Sequence, residues 1–290
     1  MRDFEYLAAK SVQKACSLLA KHKDEAKVLA GGQSLITLMK ERMISPTYVI
    51  DIKGISGLDY VKFDRKQGLR IGALTTHRTI ETSAVIKREF PVLAEMEKGV
   101  HGIQMRNWGT IGGNLCHADP AGDPAPPLIA LKAKVKIANS KGDRTLALEE
   151  FFKGYLETAL AADELLTEIQ VANLPPHTGV AYMKFTPVEV DHGIVGTAVW
   201  ITLDSKESIC KEARIVLSAV ASVPVRALKA EKVLAGKQVT DNLIEEAAQV
   251  ASDEVDPETD MNASGEYRRE LVKVLVRRVS RQALDRAGLD

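Results

Sequence analysis

The sequence predicts an α+β protein built in two parts. Three observations carry that prediction. Strand and helix signals alternate through the first 171 residues, and residues 173–179 (NLPPHTG) then form a stiff connector with two prolines and a glycine. Beyond the connector, three strand-like runs come first and three helical runs follow, the order of a sheet layered against helices. The chain has 290 residues, which suits one large domain or two medium ones.

Each element has its own signal. Ser11 precedes Val12, Ala15, Cys16, Leu18 and Leu19, an N-cap ahead of apolar residues at helical spacing. Residues 27–30 read as a short strand running into Gly31-Gly32, and 34–43 as a helix ended before Pro46. Residues 48–52 (YVIDI) have the apolar run of a buried strand, while 58–63 and 69–74 read as strands paired across the polar turn 64–68. Residues 76–98 are mostly helical, with a break at Pro91. Residues 99–127 hold six glycines and four prolines, which no single regular element tolerates, so a long functional loop is expected there. Strands resume at 135–138 and 164–171. After the connector come strands at 180–185, 194–203 and 213–219, then helices at 225–234, 241–255 and 267–286. The last helix puts Leu271, Val274, Leu275, Val279 and Leu284 on one face. Arg268, Arg269, Arg277, Arg278, Arg281 and Arg286 read as a solvated or subunit-facing stripe.

Composition narrows the function. Lys plus Arg and Asp plus Glu each number 39, so the basic excess of a nucleic-acid binder is missing. Apolar residues at 45% and charged residues at 27% exclude wholesale disorder. Cys16, Cys116 and Cys210 are far apart with no CxxC, which suits a reducing compartment and supplies too few thiolates for an iron–sulfur cluster. Two acids among the first five residues argue against a targeting peptide, and no apolar run approaches the roughly 18 residues of a membrane helix, so a cytoplasmic protein is expected.

Two glycine turns carry the chemistry. In residues 29–35 (LAGGQSL), a strand meets two glycines, a hydroxyl and a helix start. Successive N–H groups in such a turn form an anion nest, and glycines let the backbone close on a diphosphate. The plainer alternative is a strand–turn–helix with Ser34 as N-cap. In residues 109–114 (GTIGGN), the motif sits inside the glycine-rich stretch and offers bare backbone. It matches neither a Walker loop nor the GxGxxG fingerprint, and a tight turn is its plain alternative. Two such turns together point to a bound dinucleotide. Residues 116–124 (CHADPAGDP) contain HxDxxxD, but Pro and Gly prevent the helix that would align a metal set. Asp123 fits better as a hydrogen-bond partner of a ligand, and Asp119 before Pro120 as a turn-former. His22, His77, His101 and His177 are scattered and default to surface or turn roles. No Ser/His/Asp order with a nucleophile elbow occurs.

With both turns in hand, the chain resembles the FAD-binding (medium) subunits of the molybdenum hydroxylases. That family includes carbon monoxide dehydrogenase, quinoline and nicotine dehydrogenases, and the middle segment of xanthine dehydrogenase. The resemblance rests on AGGQSL (30–35), QMRNWGTIGGN (104–114), DPAGDPAP (119–126), DELLTEI (163–169), YMKF (182–185) and EYRRELVKVLVRR (266–278), and spans essentially the whole chain. It implies a two-lobed FAD-binding domain of the PCMH/VAO type over residues 1–176, with lobes of about 1–55 and 56–176. A smaller domain, a three-stranded sheet plus helical bundle, follows over 177–290.

The resemblance also implies FAD, its diphosphate between the turns formed by Leu29, Ala30, Gly31, Gly32, Gln33, Ser34 and Leu35 and by Thr110, Ile111, Gly112, Gly113 and Asn114. It adds contacts from Asp123, Leu166 and Lys184, and places His192, often Tyr in relatives, near the flavin ring. No catalytic acid–base set and no metal ligand is implied on this chain. Some relatives insert a cysteine-rich loop carrying a four-iron cluster after the second glycine motif; here that loop holds only Cys116, so no cluster is expected. The implied role is electron relay within a heterotrimer. A large subunit holds the molybdenum–pterin cofactor, a small iron–sulfur subunit holds two-iron clusters, and this chain passes electrons to an external acceptor. A stand-alone NAD(P)H-dependent flavin reductase and a non-enzymatic nucleotide-binding scaffold are the alternatives.

Overall fold

The computed structural model describes residues 1–188, 191–204 and 209–288. The chain opens with a parallel three-stranded sheet, β1 (Glu5–Ala8), β2 (Ala26–Leu29) and β3 (Tyr48–Asp51), in the order β1-β3-β2. Two helices connect its strands: α1 (Val12–His22) and α2 (Leu35–Lys40). Ser11 caps α1 as its pattern predicts, its hydroxyl accepting the Lys14 N–H at 3.1 Å. Strand β1 has no apolar alternation to announce it and forms because β3 offers it an edge. Helix α2 stops three residues before the expected Met43, where Arg42 turns into the left-handed region at φ +61°.

An antiparallel five-stranded sheet follows, made of β4 (Val61–Asp64), β5 (Gly68–Gly72), β6 (Lys134–Asn139), β7 (Gly142–Ala147) and β10 (Leu165–Val171), in the order β4-β5-β10-β6-β7. A small hairpin, β8 (Phe152–Gly154) with β9 (Glu157–Thr158), precedes β10. The expected helical region after β5 is three helices: α3 (His77–Thr82), α4 (Ala84–Glu89) and α5 (Pro91–Lys98). Thr76 and Ser83 cap the first two, and Pro91 starts the third rather than breaking one.

The expected loop at 99–127 is instead three more short helices: α6 (Ile103–Trp108), α7 (Ile111–His117) and α8 (Ala125–Ala130). Gly99, Gly102 and Gly109 fall at helix caps and Gly112 at a close packing point, and Pro126 and Pro127 lie in the first turn of α8, where no N–H is needed.

The remaining chain forms an antiparallel sheet of β11 (Thr178–Phe185), β12 (Val195–Leu203) and β13 (Cys210–Ser218). A two-residue strand, β14 (Val225–Arg226), adds to its edge, so the helix expected from 225 starts later as α9 (Leu228–Leu234). Helices α10 (Asp241–Asp253) and α11 (Gly265–Ala287) complete the layer. Helix α11 buries Leu271, Val272, Leu275, Val276, Val279 and Ala283 against β11 and β12. Gly179 allows that approach: a Cβ there would lie 1.9 Å from the Ala283 carbonyl.

The arginine stripe is a solvated face only in part: Arg269, Arg277, Arg278 and Arg281 meet solvent, and Arg268 does not. Arg268 is 5% exposed and donates to the Ile194 carbonyl (2.5 Å), the Ala219 carbonyl (3.0 Å) and Asp260 (2.6 Å). Arg286 reaches the Val180 carbonyl and Glu95, both at 2.7 Å, and Arg269, Arg277 and Arg281 pair with Asp256, Glu245 and Asp241. Among the described residues, Arg278 alone of the six is exposed with no pairing of this kind.

One apolar core joins both parts. It gathers Leu69, Ile71, Phe90, Leu93, Leu128, Val135 and Ile137 with Val180, Ala198, Trp200 and Val216 of the last sheet. Among the described residues, no helix is long and apolar enough to cross a membrane.

Candidate functional site

A cavity of about 650 Å³ opens between the first sheet, the end of β5 and helix α7. That volume lies within the usual range for small-molecule sites. Both glycine turns reach it: Ala30, Gly31, Gly32, Gln33, Ser34 and Leu35 line one side, and Thr110, Gly112, Gly113 and Asn114 the other. Asp123, Leu166 and His192 line it as well. Three of the sequence candidates do not. Leu29 packs on Met39 and Val49, Ile111 is 1% exposed in the main core, and Lys184 stands behind the wall.

The two turns differ in kind. In the first, the N–H groups of Gly32, Gln33, Ser34 and Leu35 meet no acceptor among the described residues, so the turn is an open nest. Gly32 has φ +76°, which a side chain would strain, and a Cβ on Gly31 would lie 2.2 Å from the Trp108 carbonyl. Ser34 has helical backbone angles and its hydroxyl makes no capping bond, so it is not the N-cap its position suggests.

The second turn is not bare backbone. Thr110 caps α7, its hydroxyl accepting the Gly113 N–H at 3.1 Å. The Ile111 and Gly112 N–H groups donate to the Thr75 and Ala73 carbonyls, both at 3.0 Å. This turn therefore spends the Ile111 and Gly112 N–H groups on docking α7 to the end of β5.

Asp123 is 6% exposed and fully engaged. It accepts from the Tyr182 hydroxyl at 2.7 Å and from Lys184 Nζ at 2.8 Å, and Lys184 also donates to the Asp191 carbonyl at 2.8 Å. Burial and the Asp123 charge push the Tyr182 phenol well above its ordinary pKa, so it stays a donor. Lys184 acts through Asp123, neutralising it from behind. His192 is exposed, and its ring meets that of His101 edge-on at 4.6 Å.

Several lining groups escaped the sequence reading. His77 is 4% exposed, not a surface histidine, and its Nδ1 lies 2.8 Å from the wholly buried Glu97 carboxylate. Glu164 lines the cavity and is gripped by Arg144 through two bonds of 2.7 Å. Cys116 lines it too, and burial pushes its thiol up to about 12, which removes it as a nucleophile at neutral pH. Asp119 accepts from the Ala121 N–H at 2.8 Å, the turn-forming role expected of it. Apart from Thr76 at a cap position, no sequence signal marks His77; its partner lies 20 residues away on another helix.

The cavity combines a donor nest with apolar walls from Leu35, Ile52, Met105, Leu160 and Leu166. Such a site fits a dinucleotide redox cofactor, whose own chemistry needs binding and orientation from the protein.

Comparison with known proteins agrees. Residues 2–174 match the family described as the FAD binding domain in molybdopterin dehydrogenase, and residues 180–283 match the CO dehydrogenase flavoprotein C-terminal domain. The 6-hydroxypseudooxynicotine dehydrogenase complex subunit alpha of Paenarthrobacter nicotinovorans is 36% identical, over 98% of this chain and 96% of its own. The carbon monoxide dehydrogenase medium chain of Afipia carboxidovorans is 32% identical over 98% of both chains. A chain of the solved carbon monoxide dehydrogenase from Hydrogenophaga pseudoflava superposes with a TM-score of 0.94 at 34% identity, covering 98% of each.

The chain belongs to the family of FAD-binding subunits of molybdopterin dehydrogenases. It is an oxidoreductase component, and FAD is its cofactor.

Proposed function

We propose that this chain is the electron-transfer subunit of a cytoplasmic molybdenum-containing hydroxylase or dehydrogenase. It works in a heterotrimer with a large molybdenum–pterin subunit and a small subunit carrying two-iron clusters. When bound, FAD supplies the exchange between one-electron donors and a two-electron external acceptor. The single observation behind this reading is that the chain matches dedicated medium chains over 98% of both partners.

The chain's own residues bind and orient. Residues 1–176 form the FAD-binding part and 177–290 the second part, which reaches back with Tyr182 and Lys184 to hold Asp123. The N–H groups of Gly32, Gln33, Ser34 and Leu35 receive phosphate oxygens, and Ala30, Gly31, Thr110, Gly112, Gly113 and Asn114 shape the opposite walls. Leu166 and the apolar walls keep water from the flavin, and His192, on His101, covers its open side.

The test is purification of the native complex. Stoichiometric FAD on this chain, with a molybdenum-bearing chain and an iron–sulfur chain in the same particle, is the expected result. Full substrate turnover by this chain alone, as a monomer, overturns the relay.

A further inference from the structure

At the second glycine turn, three consecutive N–H groups are closed to an anion. The Ile111, Gly112 and Gly113 N–H groups are already bound to Thr75, Ala73 and Thr110. The basic side chains lining the cavity are then decisive. Lys27 is exposed on β2; His101 and His192 pack on each other at the mouth; His117 faces Asp119 at 4.0 Å. His77 is built differently.

Its backbone and its ring are each held. The backbone N–H of His77 donates to the Gly109 carbonyl at 3.0 Å, and the ring Nδ1 meets Glu97 Oε2 at 2.8 Å. Nε2 makes no hydrogen bond within the described chain. It lies beside Gly109, 3.5 Å from where a Cβ would sit on the residue that opens the second turn. Glu97 is wholly buried, and its Oε1 has no partner. A buried charge pair with an orphaned oxygen costs stability that an apolar pair of the same volume would not. Such an arrangement in a ligand cavity is a mark of function.

We infer that His77 is a ligand of the dinucleotide, its Nε2–H donating to an anionic oxygen of the diphosphate at the Gly109–Gly113 turn, with Glu97 as the residue that positions and charges it. The inference rests on the reading of this cavity as the FAD site.

The charged neighbours support the protonated ring. Burial opposes the charge on His77, but the Glu97 carboxylate on α5 outweighs it and holds the pKa above the ordinary value. Asp123 adds to this and Arg106 on α6 opposes it. Both of those are engaged elsewhere, Asp123 by Lys184 and Arg106 by Glu81 of α3 at 3.0 Å. Glu97 is thus the controlling partner.

The test uses the full chain stripped of flavin, with FAD and riboflavin as probes and flavin fluorescence as readout. His77→Gln is expected to weaken FAD roughly tenfold to a hundredfold, the range of one lost charged hydrogen bond, and to leave riboflavin, which has no phosphate, within about twofold. Glu97→Gln keeps an acceptor for Nδ1–H but removes the charge. Burial then lowers the His77 pKa, so FAD affinity is expected to fall more steeply than in wild type as pH rises from about 6 to about 8. Equal losses for FAD and riboflavin in His77→Gln, or no loss, overturn the inference. If His77→Gln does not fold, Glu97→Gln decides, and a pH profile no steeper than that of wild type overturns the inference. A wild-type chain that binds no FAD refutes the reading of the cavity itself, a different outcome from all of these.

Discussion

Gly112 is a packing residue before it is a ligand-facing one. A Cβ there would lie 2.6 Å from both the Cβ and the carbonyl oxygen of Ala73. Gly112→Val is therefore expected to destabilise the FAD-free chain by about 1–3 kcal/mol through overpacking. Urea unfolding of the FAD-free protein checks this; an unchanged midpoint would return Gly112 to a purely ligand-facing role. Glu164 makes a second case. The Arg144 bonds, aided by the Ala161 N–H at 2.8 Å, hold its carboxyl below the usual range although burial opposes them. The stabilisation is present above the unfolded carboxyl's pKa of about 4.3 and is lost as pH falls through the lower folded value. Glu164→Gln is expected to cost about 2 kcal/mol at neutral pH and to match wild type in strong acid. Denaturant midpoints across pH measure it, and a cost that persists unchanged in acid would contradict the charge argument. At this scale the sequence marks residues that sit in glycine motifs or, like Asp123, among prolines. It conceals pairs such as His77–Glu97 and Tyr182–Asp123, because their partners meet only when separate elements pack.

Helix α11 shows what a charge pattern leaves out. The apolar face of the helix is legible, since Leu271, Leu275 and Val279 repeat at its period. Arg268 reads as one more surface cation, yet it satisfies two carbonyls at the end of β13 and before β12. Arg268→Met keeps the stem but leaves both carbonyls bare. It is expected to cost about 2–3 kcal/mol, read from thermal unfolding, and a neutral result would mean that water replaces the guanidinium. The strands with continuous apolar runs were equally legible. Helices α6, α7 and α8 were not: each has six or seven residues, too few to be stable alone, and tertiary contacts supply what propensity does not. Strands β7 and β14 are similarly hidden, one polar and exposed, the other two residues long.

At the scale of the whole molecule, the α+β layering is visible in one dimension, because element order is a local property. The wall that Asp123 shares with Tyr182 and Lys184 is not, because it joins residues 59 and 61 positions apart. The core described above runs through it: Trp200 and Val216 of the second sheet pack in the same cluster as Leu128 and Ile137. Two segments that share an interior cannot melt one after the other without exposing it. The chain is expected to unfold in a single calorimetric transition, shifted upward by about 2.7 kcal/mol when FAD is present at a hundred times its dissociation constant. Two resolved peaks would show separate folding units. Cooperativity of this kind also ties cofactor retention to the far end of the chain. Loosening α11, which braces β11 from behind, is expected to withdraw the support of Tyr182 and Lys184 and so to release flavin without a single residue of the cavity being changed.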